Sequence, residues 1–177
     1  TGIPGAREPI RRWSMSGMVT KVTPENGGLW LINALNGKPE EPSPNSGEVI
    51  TMPGSGKTAL ESSALSLVEP GDRVLVIVTG SFGLLMGAVM GRIGAEVTEF
   101  TSEWGQPIDL ARLEKEIDRV KPKIVTMVHN ETSTGTTYPA AEVGKIVKGH
   151  GALYLLDTVS SLAGIDVRTD GWGVDLN

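Results

Sequence analysis

Residues 73–79 read RVLVIVT, a run with no polar side chain between its two ends. A strand with one wet face alternates apolar and polar residues, whereas a strand covered on both faces is apolar throughout. The run therefore fits a buried parallel strand, and its neighbours supply the covering helices. Residues 48–52 read as a short strand, and 58–68 as a helix ended by the turn signal Glu69-Pro70-Gly71-Asp72. Residues 82–93 then read as a helix capped by Gly94, and 95–100 as a strand. Asp109 to Val120 carries Leu110, Leu113, Ile117 and Val120 on one helical face, and Lys121-Pro122 stops it. A strand over 124–128, a helix over 140–148 and a strand over 153–156 complete a βαβαβαβ pattern, so the expected fold class is α/β with a mostly parallel sheet.

Composition narrows the function. At 177 residues the chain can bury one full core. The net charge of -5 and the scattered Lys and Arg residues give no basic footprint, so no nucleic-acid partner is expected. With no cysteine and two histidines, no disulfide framework and no metal site are expected. No apolar run approaches the roughly 20 residues of a membrane helix, and residues 1–30 lack the pattern of a signal peptide, so a reduced, cytoplasmic protein is expected. Because the sequence starts at Thr1 rather than Met, residues before it are expected. Residues 1–46, with IPGAREPI, two Trp and the Pro-rich NGKPEEPSPNSG, read as an arm preceding a domain over 47–177; a subunit contact and a plain surface loop both fit it.

Two strand ends carry polar groups. VHNETSTG leaves the strand at 124–128, and LYLLDTVSS ends the last strand in Asp157. In an open α/β sheet ligands gather outside the carboxyl ends of strands, so Thr132 and Asp157 are expected at one crevice. A third candidate is the glycine-rich turn Met52-Pro53-Gly54-Ser55-Gly56-Lys57-Thr58 before a helix, where backbone N–H groups and the helix dipole favour an anion. GSGKT is similar to a nucleotide P-loop, and LYLLD to an apolar strand ending in a magnesium-site aspartate. A full P-loop, however, needs a glycine where this chain has Thr51.

The segments GSGKTALESSALSLVEPGDRVLVIVTGSFG, GAEVTEFTSEWGQPIDLARLEKEI, KPKIVTMVHNETSTGTTYP and HGALYLLDTVSSLAGIDVRTDGWGVDL together resemble the class V, fold type I pyridoxal-phosphate aminotransferases, in particular the alanine-glyoxylate and serine-glyoxylate group. The resemblance implies the large cofactor-binding domain of that family, a three-layer α/β/α fold. It implies pyridoxal 5'-phosphate as cofactor, an amino acid and a 2-oxo acid as substrates, and a homodimer. Ser55, Gly56 and Lys57 match the phosphate loop, through the Ser55 hydroxyl and the backbone N–H groups of Gly56 and Lys57. Phe82 matches the aromatic that stacks on the pyridine ring, Asp157 the carboxylate that pairs with the pyridine nitrogen, Thr132 a hydroxyl near the ring oxygen, and Val159 a residue packing the ring's other face. Plain readings stand beside these: Phe82 as core, Asp157 as cap of the next turn, Lys57 as a solvated helix-start residue.

Ser133 and Thr134 read as loop hydroxyls, Glu131 as a partner for a neighbouring charge, and His129 as a structural histidine. The resemblance places the Schiff-base lysine, in a GSQK-like segment, beyond Asn177, together with the small C-terminal domain. Lys115, Lys121, Lys145 and Lys148 read as solvated charges, so no catalytic residue is assigned within the chain, which is expected to be inactive alone. Three functions follow: a fragment of an aminotransferase moving an amino group from alanine or serine to glyoxylate or a similar 2-oxo acid; a P-loop-like nucleotide-binding protein; and a non-catalytic dimerising or ligand-binding domain.

Overall fold

The computed structural model describes residues 55–177. The strand expected at 48–52, the arm and Gly54 lie outside the described residues. Helix α1 (Gly56–Leu67) leads to strand β1 (Arg73–Val78), helix α2 (Ser81–Arg92), strand β2 (Glu96–Thr101), helix α3 (Leu110–Val120) and strand β3 (Ile124–Val128). A short pair, β4 (Asn130–Glu131) and β5 (Thr136–Thr137), precedes helix α4 (Ala140–Gly149) and strand β6 (Leu153–Asp157). The expected elements are present with ends moved by a residue or two. The antiparallel β4–β5 pair was not anticipated, because two residues a side carry no readable alternation.

The main sheet has the order β2-β1-β3-β6 and every pairing in it is parallel. β1 and β3 are buried at nearly every position, as their unbroken apolar sequences require. Alternate residues feed opposite faces. Val74, Val76, Val78 and Ile124 pack with Ala64, Met86 and Met90 of α1 and α2. Leu75, Ile77, Val125 and Met127 pack with Leu113 and Ile117 of α3 and with Val143 and Val147 of α4. Helices therefore cover both faces, giving three layers.

Local chemistry fixes where the elements end. Asp109 caps α3 by accepting the Arg112 N–H at 3.0 Å, and Gly94, at a φ of 99°, makes the left-handed turn from α2 into β2. After β6 the chain doubles back: the Leu156 N–H donates to the Leu176 carbonyl at 2.9 Å, and Asp175 takes Lys148 Nζ at 2.7 Å and the Tyr154 N–H at 2.8 Å. Lys148, expected as a solvated charge, is exposed and is also half of a salt bridge holding the final segment to α4 and β6.

Candidate cofactor site

The chain runs from β1 outward to β2 and returns to add β3 on the other side of β1. That reversal makes a switch point, at which the loops leaving β1 and β3 diverge onto opposite faces and open a crevice at their carboxyl ends. A cavity of about 260 Å³ lies there, lined by Ser55, Gly56, Lys57, Leu60, Phe82, Leu85, Val128, Thr132, Asp157, Val159 and Ser160. All seven residues singled out in the sequence border this one space. Leu60, Leu85, Val128 and Ser160 were missed, the first three because a pocket-lining apolar residue reads like core. Ser160, three residues beyond Asp157, offered a weak signal in the TVSS run.

Each wall has a local cause. Ser55 is the N-cap residue of α1, in extended conformation, and its side chain caps no backbone N–H among the described residues. The first amides of a helix have no partner in their own helix, so an uncapped start presents donors at the positive end of the dipole. Gly56 faces the loop after β6: a Cβ there would lie at ordinary contact distance, 3.4 Å, from Val159 Cγ2. Phe82 opens the first turn of α2 and Val159 follows β6; they are 41% and 70% exposed although apolar, so each offers an uncovered apolar surface at the cavity.

Asp157 ends β6. Its Oδ1 accepts the Val159 N–H at 2.9 Å, so the turn-capping reading holds for one oxygen while the residue still borders the cavity. Burial pushes its carboxyl above the ordinary value of 3.8; the Val159 N–H opposes the rise and the Glu131 charge adds to it. No cation pairs with Asp157 among the described residues. On the β3 side the Thr132 and Ser160 hydroxyls hydrogen-bond to each other, bringing the two loops together.

Glu131 departs from expectation. It is fully buried, and no charge lies opposite it among its hydrogen-bond partners. Its Oε2 accepts the Phe82 and Gly83 N–H groups at 3.2 Å each, and its Oε1 accepts the Ser133 N–H at 3.1 Å and the Ser133 hydroxyl at 2.6 Å. Ser133 Oγ in turn accepts the Ser81 N–H at 2.9 Å, so Ser133 is more than a loop hydroxyl. The partner is thus the N-terminus of α2, whose unsatisfied amides and dipole take the place of a cation. No local pattern announces a cap 49 residues away in sequence from the helix it closes. His129 is structural as expected: buried, with Nδ1 2.9 Å from Ser161 Oγ and its ring edge-on to Trp172 at 5.2 Å. Burial holds its imidazole below the ordinary value of 6.5.

The family model described as aminotransferase class-V matches residues 43–177. Among curated proteins the chain is 38% identical over 122 residues to the (S)-ureidoglycine–glyoxylate transaminase of Bacillus subtilis, covering 69% of this chain and 29% of that protein. It is 35% identical over 136 residues to the serine–glyoxylate aminotransferase of Arabidopsis thaliana, covering 74% and 34% respectively. The crystal structure of alanine–glyoxylate aminotransferase from Nostoc sp. superposes with a TM-score of 0.66 at 40% identity, over 68% of this chain and 32% of that one. The chain thus spans about a third of the length of the relatives it matches.

Proposed function

The chain belongs to the class V aminotransferase family, and from that premise we propose that residues 47–177 are the part of such an enzyme that holds pyridoxal 5'-phosphate, with 1–46 as an arm. The reaction proposed for the whole enzyme is amino-group transfer from alanine or serine to glyoxylate or a similar 2-oxo acid, by a cytoplasmic homodimer. The observation that carries this reading is the donor set of one cavity: an uncapped helix start for an anion, a cation-seeking acid, two apolar walls and two hydroxyls. Its volume of about 260 Å³ sits just below the ~300 Å³ at which pockets for drug-sized molecules begin, and suits a compound with a single ring.

When bound, the cofactor supplies an electron-withdrawing ring that stabilises the carbanion left when an amino acid loses its α proton. Asp157 holds a proton on the ring nitrogen. Burial penalises its charge, so a cationic partner stabilises it more than water does. The Ser55 hydroxyl and the Gly56 and Lys57 amides bind the phosphate, Phe82 and Val159 cover the ring's two faces and exclude water from them, and Thr132 orients the ring through its oxygen. Lys57 is the one lysine lining the cavity, on the anion side, and it is assigned no covalent role. The nucleotide reading keeps Lys57 and Asp157 but leaves Phe82 and Val159 without a task, and the family match supports the aminotransferase reading over it.

Equilibrium dialysis of the chain against pyridoxal phosphate tests this. Saturable binding that Asp157→Ala and Phe82→Ala each weaken at least tenfold is expected. Magnesium-dependent ATP binding abolished by Lys57→Ala, with no pyridoxal phosphate bound, would overturn it.

A further inference from the structure

Glu131 is the one carboxylate that is fully buried among the described residues, and the cofactor reading leaves it unused. Its position is unusual because it joins the two loops that wall the crevice. Phe82 lies in the first turn of α2, the helix that follows β1, and Thr132 directly follows Glu131 at the end of β4, the short strand that follows β3. Glu131 ends β4 with its side chain buried, and Thr132, the first residue of the turn that follows, is exposed and borders the cavity. The far end of the β4–β5 pair is pinned as well, Thr137 donating its hydroxyl to Asn130 Oδ1 at 2.8 Å.

We propose, resting on the cofactor reading, that Glu131 is a positioning residue: by accepting the Phe82, Gly83 and Ser133 amides at once, it fixes the Phe82 ring and the Thr132 hydroxyl relative to each other across the cavity. A carboxylate suits this task because it is acceptor-only and can face several N–H donors. Glutamine has the same shape and fails by polarity. With its NH₂ at the Oε2 place it confronts the Phe82 and Gly83 amides; with its NH₂ at the Oε1 place it confronts the Ser133 amide. In either orientation at least one N–H of the junction loses its acceptor, the buried Gly83 amide in the first case and the half-buried Ser133 amide in the second. Burial of volume alone would make the same exchange neutral.

The test compares the chain with Glu131→Gln in two readouts. Amide hydrogen exchange of the ligand-free chain is expected to quicken at least tenfold at Phe82, Gly83 or Ser133, whichever the glutamine orphans, with Met86 and Val89 inside α2 as unchanged controls. Pyridoxal phosphate affinity is expected to fall about tenfold, and the double variant with Phe82→Ala to lose less than the product of the two single losses, because part of the Glu131 effect acts through the Phe82 ring and the rest through Thr132. Unchanged exchange at all three amides overturns the inference. So does full affinity in Glu131→Gln where Phe82→Ala weakens binding, a result that leaves the cofactor reading standing. If the unsubstituted chain binds no pyridoxal phosphate, the cofactor reading fails and exchange alone decides the role of Glu131. Should Glu131→Gln not fold, Ser133→Ala, at an exposed position, is expected to quicken Ser81 and Phe82 exchange about threefold; no change there counts against the proposal.

Discussion

Gly80→Ala isolates the carboxylate junction from the opposite side. A Cβ on Gly80 would stand 2.4 Å from Glu131 Cγ, 2.5 Å from Cδ and 2.5 Å from Ser133 Oγ. Carbon atoms in ordinary contact are ~3.5–4.0 Å apart, so about 1 Å must be recovered. The backbone contributes nothing to the cost, since φ at Gly80 is 173°, extended conformation open to any residue. Glu131 cannot yield freely, being fully buried and held by four donors, two of them amides of α2. Overpacking costs ~1–3 kcal/mol, and losing one hydrogen bond to a charged group ~1.5–3 kcal/mol. The expected destabilisation is therefore about 2.5–6 kcal/mol, or a melting temperature lower by roughly 5–24 °C for a chain of this size. Urea unfolding monitored by circular dichroism measures it, with an unchanged slope marking a pure stability effect. In a Glu131→Ala background two of the three close contacts vanish and only the exposed Ser133 hydroxyl must move aside, so the two changes should couple by at least ~1 kcal/mol. A cost below ~1 kcal/mol, or the same cost in both backgrounds, would refute the reasoning.

Because the Asp157 carboxyl is raised, the native chain binds more protons than the unfolded one above 3.8, and stability declines as pH rises through that window. Asp157→Asn, whose Oδ1 can still accept the Val159 N–H, should raise the urea midpoint of the ligand-free chain at neutral pH and leave it unchanged at pH values under 3.8; a lower neutral midpoint would argue against a burial penalty. His129 works in the opposite sense: its lowered value means stability is present above 6.5 and is lost as pH falls through the folded value, and His129→Asn should flatten that acid limb. An unchanged limb would show that another group titrates there. Gly144→Ala would place a carbon 1.9 Å from the Trp172 carbonyl oxygen, a backbone atom. The ~1 kcal/mol of helix propensity gained is outweighed by overpacking of ~3 kcal/mol, and a higher melting temperature would contradict that ranking.

Much of the fold was legible because its signals are local. RVLVIVT and IVTMV declare strands covered on both faces, and the Leu110, Leu113, Ile117 and Val120 spacing declares a helix with one buried face, α3. The turn residues Gly71 and Gly94 announce themselves by needing positive φ. Site candidates emerged the same way: a glycine-rich turn before a helix and an acid closing an apolar strand are patterns of adjacent residues. Two readings fell short for one physical reason. Glu131 was expected to face a charge and instead meets α2's amides, and Lys148, exposed as a solvated charge should be, also pairs with Asp175; both partners lie far off in sequence.

What the sequence determined by itself was the order and type of the elements and the residue types a cradle requires, because hydrophobic period, turn chemistry and family motifs are written within a few residues of one another. Tertiary structure alone decided that β1 and β3 are neighbours while β2 lies outside them, and so where the crevice opens. It alone also decided that a buried carboxylate from one loop would close the helix leaving the other. Strand order and a helix cap 49 residues away in sequence depend on which faces meet in space, and that depends on the packing of the whole sheet.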